Sequence, residues 1–230
     1  MSTVRRAFWV GVAGLAFALG SAAQDKKDAP DPAALPGEEI TTGFRAYVVA
    51  EPRFPKEDVR HRVGKMQDLV TDRALEPTLA VFSRTIPADA AHPLAAVVKK
   101  LDELIEVKEY RARRLGAFLV FLALQNEFRK DETRDARIKE VGQFVSGVMP
   151  KHVTVGLAER TETPDGTEQP LVPAQVTAMG IGAEDDLVIV FYSRFHVHKR
   201  WKFPASRPPT EEDLKAIQAE VDRVLGPAKK

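Results

Sequence analysis

"AVFSRTIPADAAHPLAAVV" (residues 80–98) is the stretch whose reading decides the fold. Its apolar start belongs to "PTLAVFSR" (77–84), a short run bounded by proline and polar residues, which reads as a buried strand. From Pro93, the residues Leu94, Val97, Val98, Leu101, Leu104 and Ile105 fall on one face of a helix. Between strand and helix lies a polar loop containing Pro87 and ending at Pro93. A loop delivered onto a helix N-terminus is a natural place for anion binding or nucleophile activation. Residues Arg84, Thr85, Ile86, Pro87, Ala88, Asp89, Ala90, Ala91, His92 and Pro93 are therefore the first to weigh.

Outward from this unit the chain alternates strands and helices. "FRAYVVAE" (44–51) is rich in β-branched and aromatic residues and stops at Pro52. Segment 56–72 reads either as a helix on Val59, Val63, Met66 and Val70 or, because Gly64 interrupts it, as a loop with a short strand. "GAFLVFLAL" (116–124) is near-continuously apolar, the pattern of a strand covered on both faces. A helix is expected over 133–148 on Ile138, Val141, Val145 and Val148, then a strand at "HVTVGLAE" (152–159). Residues 160–185 read as a long connection. "DLVIVFYS" (186–193) and "FHVHKRWKF" form a closing pair of strands. Thr210 is the expected N-cap of a last helix carrying Leu214, Ile217, Val221 and Val224. "KKLDELIEVKEYRARR" (99–114) continues the helix from Pro93, with Glu109 and Arg113 spaced for an ion pair. Alternating βα units imply a mostly parallel sheet with right-handed crossovers, and the final hairpin makes it mixed.

In element order and hydrophobic pattern the chain resembles the thioredoxin-like superfamily, its peroxiredoxin-type branch more than the minimal thioredoxin. The residues that carry this are "VGKMQDLVTD" leading into "PTLAVFSRT", the helix from Pro93, "AFLVFLAL", and "DLVIVFYSRFHVHKRWKF" with its helix, over roughly residues 42–226. The resemblance implies a three-layer α/β/α sandwich around a central mixed sheet. It also implies a redox cysteine in the loop after strand 78–84. That loop here has none, and the chain contains no cysteine at all. The family's cis-proline has no clean counterpart either: Asp185 and Asp186 precede "LVIVFY", with Pro170 and Pro173 upstream. Thiol oxidoreductase and peroxidase activity is thereby excluded.

Other chemistry in the loop would need a nucleophile, a base and an orienting group. Ser83, Thr85, Asp89 and His92 supply the residue types, but no Gly-x-Ser-x-Gly elbow surrounds either hydroxyl. The expected roles are Asp89 favouring the helix N-terminus and His92 solvated, with no catalytic residue assigned. The second candidate is His196-Val197-His198, where strand alternation would aim two imidazoles at one metal or, with Arg200, at an anion. A stable zinc site wants three or four ligands. On an unbroken alternation, Arg194, His196, His198, Arg200 and Lys202 share one face, and Phe195, Val197, Trp201 and Phe203 the other, with Lys199 the exception. The expectation is a solvated polar face on a half-buried strand, its basic residues discouraging edge pairing; a hairpin turn at 194–196 would shift this phase. No metal or other cofactor is assigned.

Composition frames the rest. Residues 1–23 read as a signal peptide: Arg5 and Arg6, an apolar run from Ala7 to Leu19, then Ser21-Ala22-Ala23. That run falls short of the ~20 residues a bilayer span requires. The sequence "RRAFW" also resembles a twin-arginine signal, leaving two export routes. Residues 24–41 read as a flexible linker, 42–226 as the folded domain and 227–230 as a tail. The chain has 34 basic and 33 acidic residues, and losing Arg5 and Arg6 leaves 32 against 33, or −1. No field for nucleic acid follows. Without cysteine a lipid-modified anchor is closed as well. The expectation is an exported, periplasmic or extracellular binding or structural module with a protein partner in the envelope. Its alternative is a non-redox enzyme or metal-binding protein using His92 with Ser83, Thr85 and Asp89, or His196 with His198.

Overall fold

The computed structural model describes residues 37–52, 62–73, 75–122, 131–158 and 173–227. The expected signal peptide, most of the linker, the start of segment 56–72, the first half of the 160–185 connection and most of the 227–230 tail lie outside these residues. One seven-stranded sheet organises what is described. Its strands are β1 (Arg45–Ala50), β2 (Met66–Asp68), β3 (Thr78–Ser83), β4 (Gly116–Phe121), β5 (Val153–Ala158), β6 (Asp185–Ser193) and β7 (His196–Pro204). They lie in the order β2-β1-β5-β4-β3-β6-β7. β3, β4 and β5 run parallel, while β6 and β7 form an antiparallel hairpin beside β3, and β1 is antiparallel to β5.

All six residues of β3, of β4 and of β5 are buried, which is why these strands read as unbroken apolar runs rather than alternations. Alternate residues serve two cores. Leu79 and Val81 face a layer built by α1 (Pro93–Glu106), α2 (Lys108–Ala112), α3 (Asp131–Val148) and α5 (Glu211–Leu225), through Leu94, Leu101, Tyr110, Val141, Phe144 and Ile217. Ala80 and Phe82 face Ile40, Phe44, Leu69, Val70 and Met179. On that second face the one described helix is short α4 (Pro173–Ala178). The sandwich is three-layered, with unequal outer layers.

Two expectations need correcting, and one open reading is settled. The helix through 99–114 is broken: Val107 leaves helical geometry (φ −60°, ψ 123°) between α1 and α2. α2 then closes in a Schellman turn, with Leu115 N–H on the Tyr110 carbonyl and Arg114 at φ +62°. Among the described residues no ion pair joins Glu109 to Arg113. Of the two readings of 56–72, the described part follows the second, a loop with a short strand, β2, joined by a 3-10 turn at Thr71–Arg73. The 160–185 connection contains α4. It ends in its own Schellman turn, Ile181 N–H to the Val176 carbonyl and Gly180 N–H to the Thr177 carbonyl, with Gly180 at φ +68°. Pro173, considered above as upstream of a strand, opens α4.

Candidate functional site

The loop after β3 is held by its own polar groups. Ser83 is buried and its Oγ donates to the Thr85 carbonyl at 2.8 Å. Arg84 spans to the start of β6, where its Nε donates to the Asp185 carbonyl (2.8 Å), and to the turn before it, where one terminal nitrogen donates to Gly182 O (2.9 Å). Thr85 Oγ1 donates to Asp186 Oδ1 at 2.7 Å. Ile86 packs against the helical core and Pro87 is buried. Asp89 Oδ1 accepts from Ala91 N–H at 2.8 Å, closing a turn rather than capping the helix. The N-cap of α1 is His92 itself: its backbone is extended and its Nδ1 accepts from Leu94 N–H at 3.2 Å, with Pro93 following in the first turn.

Ser83, Thr85, Asp89 and His92 therefore each have a local partner, and no hydrogen bond joins any two of these side chains. A base must sit within ~2.6–3.2 Å of the hydroxyl it activates. His92 Nδ1 is already an acceptor for the backbone. The expected roles of Asp89 and His92 do not hold: the histidine, expected in solvent, caps the helix, and the aspartate holds the turn before it.

The second candidate changes more. Ser193 and His196 are joined by a two-residue turn, Arg194 and Phe195, both at positive φ (+52° and +64°). Two-residue hairpin turns of this kind prefer Asn-Gly or Asp-Gly. The β6–β7 register then slips: Tyr192 pairs with Val197, yet Phe191 pairs with Lys199. His198 is the extra residue of a β-bulge. Beyond it the alternation reverses, so the five-residue polar face expected from Arg194 to Lys202 does not exist. Val197 and Arg200 share the face of Tyr192 and Val190, and Lys199 joins Trp201 and Phe203 on the other. Lys199, the exception to the expected pattern, places its Nζ 5.4 Å from the centre of the Trp201 ring.

His196 is exposed. His198 stacks on Phe191 with ring centres 5.1 Å apart, and its Nε2 lies 2.7 Å from Ser193 Oγ. Burial first, and then the Arg223 guanidinium, lower the pKa of His198; Glu220 opposes them. Arg200 is not a solvated anion contact. Its side chain is 1% exposed, and its guanidinium forms an ion pair with Glu38 and donates from Nε to Met179 O (3.1 Å) and from a terminal nitrogen to Ala178 O (3.2 Å). Among the described residues no group of three or more His, Asp or Glu side chains is placed to hold a metal. Ser193 and Glu38 are the participants that spacing did not reveal, because nothing in the expected hairpin marks the register slip that brings His198 to Ser193, and the Glu38 contact spans most of the chain.

The connection β3-α1-α2-β4-α3-β5-α4-β6-β7-α5, with β3 between parallel β4 and antiparallel β6, decides the fold. The fold is thioredoxin-like. No protein-family model matches the chain. No curated protein matches it. Among solved structures it is similar to Mycobacterium tuberculosis AhpC, at 12% identity over 81% of this chain and 94% of that one, with a TM-score of 0.48. It is also similar to the reduced Plasmodium vivax 2-Cys peroxiredoxin (14% identity, 82% and 97% covered, TM-score 0.47). A third is the exposed lipoprotein thioredoxin Etrx1 of Streptococcus pneumoniae (12%, 79% and 99%, 0.43). Nothing about activity follows from likenesses this remote. In this thioredoxin-like fold, the loop where the resemblance implies a cysteine runs from Arg84 to Pro93 and holds none; the chain has no cysteine anywhere. Among the described residues there is no cis peptide bond, and no helix is long and apolar enough to cross a membrane.

Proposed function

We propose that this protein is an exported binding or structural module of the cell envelope that keeps a thioredoxin-like fold without thiol chemistry. The observation that carries the reading is the loop from Arg84 to Pro93, whose polar side chains are spent on positioning the loop itself. A thiolate nucleophile has no counterpart here: the Ser83 hydroxyl and His92 imidazole serve the backbone, and the Thr85 hydroxyl is spent on Asp186. The leader at residues 1–23 and the proline-rich stretch that follows support export and then a tether that ends by residue 37: of the expected linker 24–41, residues 37–40 are seated along β7 and Ile40 is buried. Two measurements test the reading. The purified chain is expected to show no peroxide reduction and no disulfide exchange above blank with dithiothreitol or thioredoxin as reductant; turnover above blank ends it. N-terminal sequencing of the protein recovered from the envelope is expected to begin at Gln24, and full-length protein confined to the cytoplasm contradicts the export part.

One contact favours a second reading, a non-redox enzyme at the hairpin. Ser193 Oγ and His198 Nε2 are at the 2.7 Å separation of a nucleophile and its base. The His92 version of that alternative has no such contact. A fluorophosphonate probe discriminates: attack by Ser193 Oγ on phosphorus would expel fluoride and pass the hydroxyl proton to Nε2. Labelling of Ser193 that disappears in His198→Gln supports the enzyme; an unlabelled chain returns the hairpin to a structural role.

A further inference from the structure

Residues Gly37 to Ile40 lie as a strap along the start of β7. Gly37 N–H donates to Val197 O at 2.9 Å, Val197 N–H to Glu38 O at 2.9 Å, and Ile40 N–H to Phe195 O at 2.7 Å. Glu39 bridges His196 in antiparallel pairing. Residues two apart on an extended segment point the same way, and the two inward members are of opposite kinds. Ile40 is 3% exposed in the cluster that also holds Val197, with Phe195 packed against it. Glu38, its side chain 45% exposed, reaches the buried side chain of Arg200.

Arg200 is fixed independently of the strap. The C-terminal carbonyls of α4 hold two of its nitrogens, and Gly180 leaves it room: a Cβ there would meet Arg200 Nε at 2.8 Å. The turn that presents the seat, Arg194-Phe195, is a strained pair of non-glycine residues at positive φ. The acceptor is thus built by β7, the turn and α4, whereas the strap brings one backbone ladder, one carboxylate and one aliphatic side chain. Strand addition to a sheet edge with pockets for alternate side chains is a general mode of peptide recognition.

We infer that the strap is an internal occupant of a strand-binding site. The site takes an extended segment of a partner protein carrying an acidic residue followed two positions later by an aliphatic one. The acidic residue pairs with Arg200 and the aliphatic one fills the seat of Ile40. This rests on the binding-module reading above and names its surface. The turnover assay tests that reading and the titration below tests this one, so each can fail alone. A tethered segment competes at an effective concentration of order mM, so a free segment binds well only when the strap is weakened.

The test uses the full chain and a fluorescein-labelled peptide with the sequence of residues 34–43, ALPGEEITTG. Glu38→Lys sets an ammonium against Arg200 and loosens the strap from within; Glu38→Gln does so more gently and guards against misfolding of the first variant. Fluorescence anisotropy is expected to give at least ~10-fold tighter peptide binding to either variant than to the unsubstituted chain. Peptides with Lys at the Glu38 position, or Ser at the Ile40 position, are expected to bind neither. In the unsubstituted chain, excess peptide is expected to shift the amide resonances of Gly37, Ile40 and Val197. Equal binding of acidic and Lys peptides, or none to both variants, overturns the proposal. So does a concentration-dependent dimer of the unsubstituted chain in which straps are exchanged, since the occupant is then a second copy.

Discussion

The imidazole of His198 lies half-buried against Phe191, with Ser193 on its Nε2. Its pKa is lowered chiefly by burial, then by the positive charge of Arg223 and by His196, against the opposing pull of Glu220. A histidine whose folded value lies below the unfolded one, about 6.5, folds as the neutral ring. Below that pH the unfolded chain binds the proton more readily than the folded one. The stabilisation is therefore complete above pH ~6.5 and is lost as pH falls from there through the lowered folded value. The urea midpoint is expected to drop between pH 6.5 and 5 and to drop less in His198→Gln, which keeps a polar partner for Ser193 without titrating in this range. An equal drop in both proteins removes His198 as the cause. The carboxylates act in a separate window. Burial pushes Asp213 upward, but the Thr210 backbone and hydroxyl and Arg207 outweigh it and hold it low. Glu220 is lowered first by its hydrogen bond from Arg223, against the opposing effect of burial. Their contributions disappear only as pH falls below about 4.

At the scale of elements, what was readable follows from how much each element relies on side-chain pattern. β3, β4 and β5 were legible because burial on both faces leaves an unbroken apolar run. α1 and α5 were legible from stripes at helical spacing, and the N-cap Thr210 proves to form a capping box with Asp213. Features made by the backbone alone left no such trace. The bulge at His198 reverses the phase of β7 without any glycine or proline to mark it. The break at Val107 and the left-handed Arg114 end two helices with residues that elsewhere continue them. α4 has six residues, too few to display a period. The strap pairs through backbone groups over four residues, and its one ion pair joins Glu38 to Arg200 across the chain. Of the candidate loop, its position and its lack of a thiol were legible. That His92 rather than Asp89 caps α1 was not, since histidine is an uncommon choice for that position.

For the whole molecule, the sheet separates two cores that share its strands but not their side chains. Phe82 belongs to one, with its ring centre 4.8 Å from that of Phe44 and 6.0 Å from that of Phe118. Phe144 of α3 belongs to the other and meets Phe121 edge-on at 5.6 Å. With no cysteine to form a disulfide, cohesion rests on these two layers, and a reductant is expected to leave the melting midpoint unchanged. Truncating a buried ring to leucine removes apolar contact and leaves a small cavity, so Phe82→Leu and Phe144→Leu are each expected to cost about 1–2 kcal/mol. Domains of this size are stable by about 5–15 kcal/mol, so both variants and their combination remain measurable by urea unfolding. Sites without shared partners add to within about 0.5 kcal/mol. The double variant is therefore expected to lose the sum of the single losses. A departure of more than about 1 kcal/mol in either direction would mean that strain crosses the sheet through β3 and β4, and that the two faces respond as one core.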